Sequence, residues 1–462
     1  MKIRFIQLCL LAAVVLFVSG ASWVLTHSFA SGDYDDKGIA ATFRTVPDEQ
    51  NLFDALQYIE AEGFRFVKNE SESLALKQFV TGTHWNQDAV DGLLASHADR
   101  ITDLGDAISR PYFQSGPAEW GPKAYAPKYN EYLTLNDLLL LKASSQQRSR
   151  QYDQAVASLT RSMTFANRLQ HDENGSLVAH VVGLTMLEST LQWLERAVQT
   201  GDLNNQQLDQ IAQALAALPG FDRDGFRKTL MSEFMTTKAL VASLNEQLLE
   251  QTRGEPAAGE PDNQLEAASR VGTQVSSAFS FLLAAGLSNY LLQPDELLAQ
   301  RAAEIQELIL LSELPCQAVS FPTHEHEGSS WDIFKPGGLL KNMLLVGTNS
   351  YQRYFERRCL SHTQVQSLQA LVAVQRYERA EAALPEHLRR LVPEYLAQEP
   401  RDWFNGQSLK FNKLNGWIYS AGLNYRDEAG NKEAILAARC GTNPACMNEP
   451  TFALRASPAP GS

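Results

Sequence analysis

Residues 130–200 read NEYLTLNDLLLLKASSQQRSRQYDQAVASLTRSMTFANRLQHDENGSLVAHVVGLTMLESTLQWLERAVQT. This stretch predicts three helices in close succession. The first covers Tyr129 to Ser149, where Leu135 and the run from Leu138 to Leu141 are too apolar for a helix with a solvated side. The second starts near Gln151. Tyr152, Ala155, Val156, Leu159, Met163 and Ala166 recur at three- and four-residue steps, which puts them on one helical face. The break between the two, Ser144 to Arg150, is short and polar, so the pair packs antiparallel. In the turn His171 to Ser176, Gly175 suits a positive φ past a helix end and Ser176 suits the next N-cap. The third helix carries Val178, Val181, Val182, Leu184, Met186, Leu187, Leu191, Leu194 and Val198. It is apolar almost all round, so it belongs in the middle of a bundle.

Helices of the same kind are expected on both sides. Upstream, Leu52, Leu56 and Ile59 give one face to a helix from Asp48 to Gly63. Asn86 is an N-cap candidate for a helix with the stripe Val90, Leu93, Leu94, His97, Ile101 and Leu104, on which His97 reads as a core-edge histidine. Pro111 to Lys128, with Tyr112, Phe113, Trp120 and Tyr125, is a proline-rich aromatic connector. Downstream, Asn204 and Gln207 form a capping-box pattern ahead of Leu208, Ile211, Leu215 and Leu218, and Pro219-Gly220 ends that helix. Asp224 to Gln251 is the next helix. Glu233 falls among its apolar residues Phe226, Leu230, Phe234 and Leu240, as an acid paired with a base or a helix N-terminus, or as a catalytic carboxyl with a raised pKa. Gly254 to Asn263 reads as a flexible loop. Val275 to Gln293 is apolar but holds four serines and an asparagine, so it reads as a buried helix and not a membrane span. A further amphipathic helix runs from Pro294 to Leu311, and another reaches Glu381.

The chain has 462 residues and a formal net charge of −13, which argues against binding to nucleic acid, whose phosphates need a basic surface. Lys2 and Arg4 precede a run from Phe5 to Leu25 without a charged residue, and Asp33, Asp35 and Asp36 follow it. That order describes a single membrane span with its N-terminus in the cytoplasm. Val18-Ser19-Gly20 and Ser28-Phe29-Ala30 would serve as cleavage sites, but the run is longer than a usual signal-peptide core, so an uncleaved anchor is preferred. Outside it lie four cysteines, an even number that suits an oxidising compartment. Cys440 and Cys446 flank a turn-like segment and form one expected disulfide, which leaves Cys316 and Cys359 for the other. The compact group of metal-type ligands is His324-Glu325-His326-Glu327. On a strand His324 and His326 would share a side, yet the segment lies between Pro322 and Gly328 as a loop, without an identifiable third ligand. No phosphate-binding glycine loop, no GxSxG elbow and no nucleophilic cysteine–histidine pair is present, and no cofactor is indicated.

The fold expectation is mainly α: an N-terminal transmembrane helix (1–28), a large helical domain of bundle or solenoid-like type (29–253, continued over 267–391 after a linker at 254–266), and a C-terminal tail (392–462) with a small β-hairpin. Tyr152-Asp153-Gln154-Ala155 with Leu159 and Ser162 resembles the latter half of a tetratricopeptide repeat over one hairpin, without a second copy. Leu384-Pro385-Glu386-His387-Leu388, Asp402-Trp403-Phe404-Asn405-Gly406, the Asn415-Gly416 turn and Tyr419-Ser420-Ala421-Gly422 resemble the globular end of type II secretion pseudopilins. The same ending is similar to that of uncharacterised membrane-anchored helical proteins of bacteria. The pseudopilin resemblance implies a calcium loop after the hairpin, where Asn424, Asp427 and Glu428 are oxygen donors and Arg426 opposes a cation. Three function classes stay open. The first is a binding or scaffolding protein of the bacterial inner membrane, its bulk in the periplasm and with a protein partner. The second is an envelope enzyme using Glu233, His324 or His326. The third is a component of a secretion apparatus.

Overall fold

The computed structural model describes residues 44–115, 127–218, 223–252, 294–312, 348–433 and 447–455, with a few single residues between them. The expected anchor at 1–28, the run Val275–Gln293, His324, His326, Cys440 and Cys446 lie outside the described residues. In chain order the helices are α1 Glu70–Thr81, α2 Gln87–Ser96, α3 Ala98–Ala107, α4 Tyr129–Arg148, α5 Tyr152–Gln170, α6 Leu177–Gln199, α7 Asn205–Ala217, α8 Arg223–Thr252, α9 Pro294–Leu311 and α10 Thr348–Glu381. Three short strands close the chain: β1 Lys410–Asn412, β2 Trp417–Tyr419 and β3 Thr451–Ala453. The protein is mainly helical, with a small antiparallel sheet near its C-terminus.

Polar side chains set the helix starts. Asn69, Asn86 and Ser176 each accept a hydrogen bond from the backbone N–H three residues on, and Asn204 and Gln207 complete the capping box reciprocally. Helix α6 satisfies the length and composition of a membrane span, yet two-thirds of its most apolar window is buried inside the protein. Helices α4 and α5 form the antiparallel hairpin, and α6 packs across both of them. It does not begin a second copy of the hairpin, so nothing further supports a repeat architecture. A buried hydroxyl chain pins the three helices together: Ser162 Oγ lies 2.6 Å from both Asn136 Oδ1 and Thr190 Oγ1. At Gly183 the backbones of α5 and α6 come so close that an added Cβ would sit 2.6 Å from the Gln170 nitrogen and 2.7 Å from the Ala166 oxygen.

Two apolar cores share α6 and α10. The larger lies between α1–α7, the last turns of α10 and the tail; the smaller joins α8, α9, the first half of α10 and Leu184 of α6. Cys316 and Cys359, both buried in the smaller core, form a disulfide. The expected helix from Asp48 to Gly63 is instead three short turns, Asp48–Gln50, Leu52–Ala55 and Gln57–Glu60. Its break is a matter of competing hydrogen bonds: Asn51 is extended, and the Leu52 and Tyr112 amides bond to Tyr112 and Gln50 carbonyls. Likewise the helix expected from Asn86 to Leu104 breaks at His97, whose ring meets Phe66 edge-on at 5.5 Å. The intervening α1 had no forecast.

Buried Asp172 closes the α5–α6 turn. Its carboxylate accepts from the Ser115 N–H and hydroxyl and from the Asn174 N–H, while Gln114 reaches Arg44, Val46 and Asn174. Gly175 has a φ of +66°, and an added Cβ would meet the Lys228 oxygen of α8 at 2.8 Å.

In the tail the expected hairpin is present, with Phe411 opposite Ile418 and Gly416 at a φ of +66°. The hairpin expectation is incomplete, because β3 adds on the far side of β2 with Phe452 opposite Ile418. Asp402 ties the Asp-Trp loop to the end of β2 by accepting from the Phe404 and Ala421 amides and the Ser420 hydroxyl.

Gly183→Ala should destabilise the protein by about 1–3 kcal/mol, because neither helix backbone can yield without losing its neighbours. Gly92→Ala, in α2 with nothing within 4 Å of the added Cβ, should stabilise it by up to about 1 kcal/mol. Urea unfolding followed by circular dichroism checks both; equal midpoints for the two variants would refute the close-packing account.

Candidate functional site

Helix α1 ends at a left-handed Gly82, and Trp85 follows before α2 begins. These residues stand beside the last turn of α4 and the last two turns of α6, and the three walls enclose an open groove of about 270 Å³. Its base is aromatic. Trp193, 4 % exposed, lies deepest and donates its indole N–H to the Ser144 hydroxyl at 2.6 Å. Phe79 meets Trp85 edge-on with ring centroids 6.5 Å apart. The rim is cationic. The Arg148 guanidinium lies over the Trp85 ring, 4.2 Å from its centroid. Arg196 donates to the Val80 and Thr81 carbonyls at 3.2 and 3.1 Å, which caps α1 and fixes that wall to α6.

Among the described residues no Asp or Glu lines the groove, in a chain with 53 acidic and 40 basic residues. No described residue accepts a hydrogen bond from Arg148, so its N–H edge faces solvent over an aromatic floor. Among its described lining residues are aromatic rings, two guanidinium groups and the hydroxyls of Thr81, Ser144 and Thr200, without a histidine, cysteine or carboxylate. Sequence reading did not single out Phe79, Trp85, Arg148 or Trp193. The available signals were a tryptophan on the most apolar helix, an arginine closing a polar break and a tryptophan beside an N-cap, all far apart in sequence.

The last turn of α6 faces the tail on its other side. Burial pushes the Glu195 carboxyl up to about 8, against hydrogen bonds from the Ala453 amide and Gln199 and against the charge of Arg196. Gln199 donates to the Ala453 carbonyl, and Gln375 of α10 to those of Val198 and Leu454. Asp172 is pushed up to about 6 by burial, opposed by the hydrogen bonds it accepts.

The residues suggested by sequence fall apart from the groove. Burial raises the Glu233 carboxyl, opposed by the charge of Arg301 and a hydrogen bond from the Leu177 amide at the start of α6. Both are kinds of partner expected of such an acid, and the raised pKa is also what a catalytic carboxyl would show. The His97 pKa is lowered by burial, with Phe66 and Glu72 opposing. Cys359 is engaged in the disulfide, and the neighbouring His362 ring lies 5.9 Å from that of Trp403. In the loop after the hairpin, Asn424 accepts from the Arg426 amide and Asp427 from the Ala429 amide, with Lys410 Nζ 3.6 Å from Asp427. Those oxygens serve the turn, and among the described residues no group of three His, Cys, Asp or Glu is placed to hold a metal ion. No family model, no curated protein and no solved structure matches the chain, so the pseudopilin and tetratricopeptide resemblances rest on short motifs alone.

Glu195 has a folded-state pKa above its ordinary 4.5, so the folded protein holds that proton more tightly than the unfolded chain does. Its contribution is complete below pH 4.5 and is lost as pH rises through about 8. Stability should therefore fall with rising pH in that window, by at most roughly 1.4 kcal/mol per pH unit from this group. Asp172 acts in the same direction, lower on the scale. Glu195→Gln should raise the urea midpoint in alkaline buffer and leave it unchanged in mild acid; parallel profiles for the two proteins would refute this assignment.

Proposed function

We propose that this protein is anchored in the inner membrane of a bacterium and works in the periplasm by binding another protein in the groove between α1, α4 and α6. The observation that carries the reading is the groove itself: buried Trp193 and half-buried Trp85 beneath a stacked guanidinium, open to solvent on a rigid helical frame. Aromatic and arginine side chains in such a setting are the usual anchors of protein recognition. The frame is well suited to hold them. Trp193 and Arg196 come from the central helix, Ser144 and Arg148 from its neighbour, and Arg196 clamps the third wall.

Two features support the compartment. The uncharged run from Phe5 to Leu25 follows two basic residues, and the Cys316–Cys359 disulfide suits an oxidising space. A scaffolding role would draw on the same features: a tether, a large folded body and the groove. The enzyme reading keeps Glu233, whose carboxyl is raised by burial, but Glu233 does not line the groove. The secretion reading keeps only the tail motifs.

In unreduced, unfolded full-length protein, Cys316 and Cys359 should not react with a maleimide, and replacing both with alanine should destabilise the fold by about 2–4 kcal/mol. For the groove, a photo-crosslinking amino acid at Gln147 should give one discrete adduct in intact membranes. The partner identified from it should bind the purified full chain but not the Trp85→Ala variant, whose thermal unfolding should remain cooperative. Absence of any adduct at Gln147, with adducts elsewhere on the surface, would sink the proposal.

A further inference from the structure

We infer that the groove receives a short peptide segment of the partner that carries a carboxylate beside an aromatic or leucine-sized side chain. This rests on the binding reading of the groove and adds the chemistry of its occupant.

Charge decides the polar half. Arg148 and Arg196 bring two guanidinium groups to the lining, and no described carboxylate lines it; Glu195, next to Arg196 in α6, acts on the charge of Arg196 but not from the lining. Residues from the C-terminal turns of α1, α4 and α6 line the groove, and each such helix end carries roughly half a negative charge on its free carbonyls. That field would favour a cation if it stood alone. At α1, however, Arg196 covers the Val80 and Thr81 carbonyls directly. Arg148 is left with no acidic partner among the described residues, in a protein whose formal net charge is −13. An anion is therefore favoured at Arg148, in contrast to the sign of the chain as a whole.

Geometry selects a carboxylate. One face of the Arg148 guanidinium is stacked on Trp85, which biases its orientation before any ligand arrives and leaves its N–H edge accessible. Two parallel N–H groups on that edge match the two oxygens of a carboxylate. The indole N–H of Trp193 is engaged by Ser144 and the Trp85 indole N–H by Gln87, so neither ring offers a second donor to the occupant. What these rings offer is their apolar surface. At about 270 Å³ the cavity is smaller than typical drug-sized pockets, and takes one large side chain. An acid with an adjacent aromatic or leucine residue fills both halves. A peptide meets this better than a free small acid, because the open side of the groove leaves room for the chain to enter and leave.

Detergent-solubilised full-length protein tests this by calorimetry with blocked tetrapeptides. The probe is acetyl-Gly-Asp-Phe-Gly-amide, compared with versions having Asn or Lys for Asp, or Ala for Phe, and with free 3-phenylpropionate. The Asp-Phe peptide should bind at least tenfold more tightly than each of the others. Arg148→Glu should reverse the order, so that the Lys-Phe peptide binds best, a rescue that simple damage to the fold would not produce. Equal binding of the Asn-Phe and Asp-Phe peptides would overturn the carboxylate assignment and leave an aromatic groove standing. Tighter binding of 3-phenylpropionate than of the Asp-Phe peptide would overturn the peptide as occupant. Binding of no probe, with the Gln147 adduct still formed, would overturn the ligand class alone; loss of the adduct as well would remove the groove reading.

Discussion

A helix that is apolar on nearly every side must be covered on every side, and α6 is such a helix. Each buried side chain along it removes surface from water at roughly 25 cal/mol per Å², so its neighbours are drawn onto it from all directions. Helices α4 and α5 cover one side, α8 and α10 the other, and the tail closes over its last turn. Gly183 sets how close α5 can come. Because α6 contributes to both cores, the larger and smaller halves of the helical body are packed through one element. The same requirement explains why its membrane-like composition marks a protein interior and not a bilayer span.

Burying so much of one helix creates a second constraint, that polar groups carried inside must find partners. Several do so across element boundaries. Ser162 joins Asn136 and Thr190 at the crossing of three helices; Glu188 of α6 meets Arg357 of α10 at 3.1 Å; and Asp172 gathers the segment at Ser115 onto the α5–α6 turn. These bonds specify orientation where apolar contact alone would permit sliding. They also break local helix propensity: Asn51 serves Gln114 and Phe53, and the run from Asp48 to Glu60 becomes short turns as a result.

The candidate groove is a by-product of the same geometry. Where α1 stops at Gly82 and α4 stops at Arg148, the end of α6 is left partly uncovered, and Trp193 is met there from outside by Trp85 and Arg148. No single segment contains the groove, and residues 79–85, 144–148 and 193–200 have no pattern in common. Local rules had no access to it.

Much of the fold was legible because it depends on short-range chemistry. The three central helices begin and end within a residue or so of where apolar period and caps place them, the Asn204–Gln207 box forms, and the Asn415-Gly416 turn returns the chain between β1 and β2. The charge-free run and the even count of cysteines after it are likewise properties of composition, and the Cys316–Cys359 disulfide agrees with the latter. What only the tertiary structure decided is what depends on partners distant along the chain. It placed β3 beside β2 from some thirty residues away, broke two expected helices where backbone groups found other partners, brought the charge of Arg301 near Glu233, and brought two tryptophans and two arginines to one groove. A cap or a turn is satisfied by residues a few positions off, so sequence alone determines it. A site made where three helices happen to end is determined by packing, which sums small contacts over the whole chain.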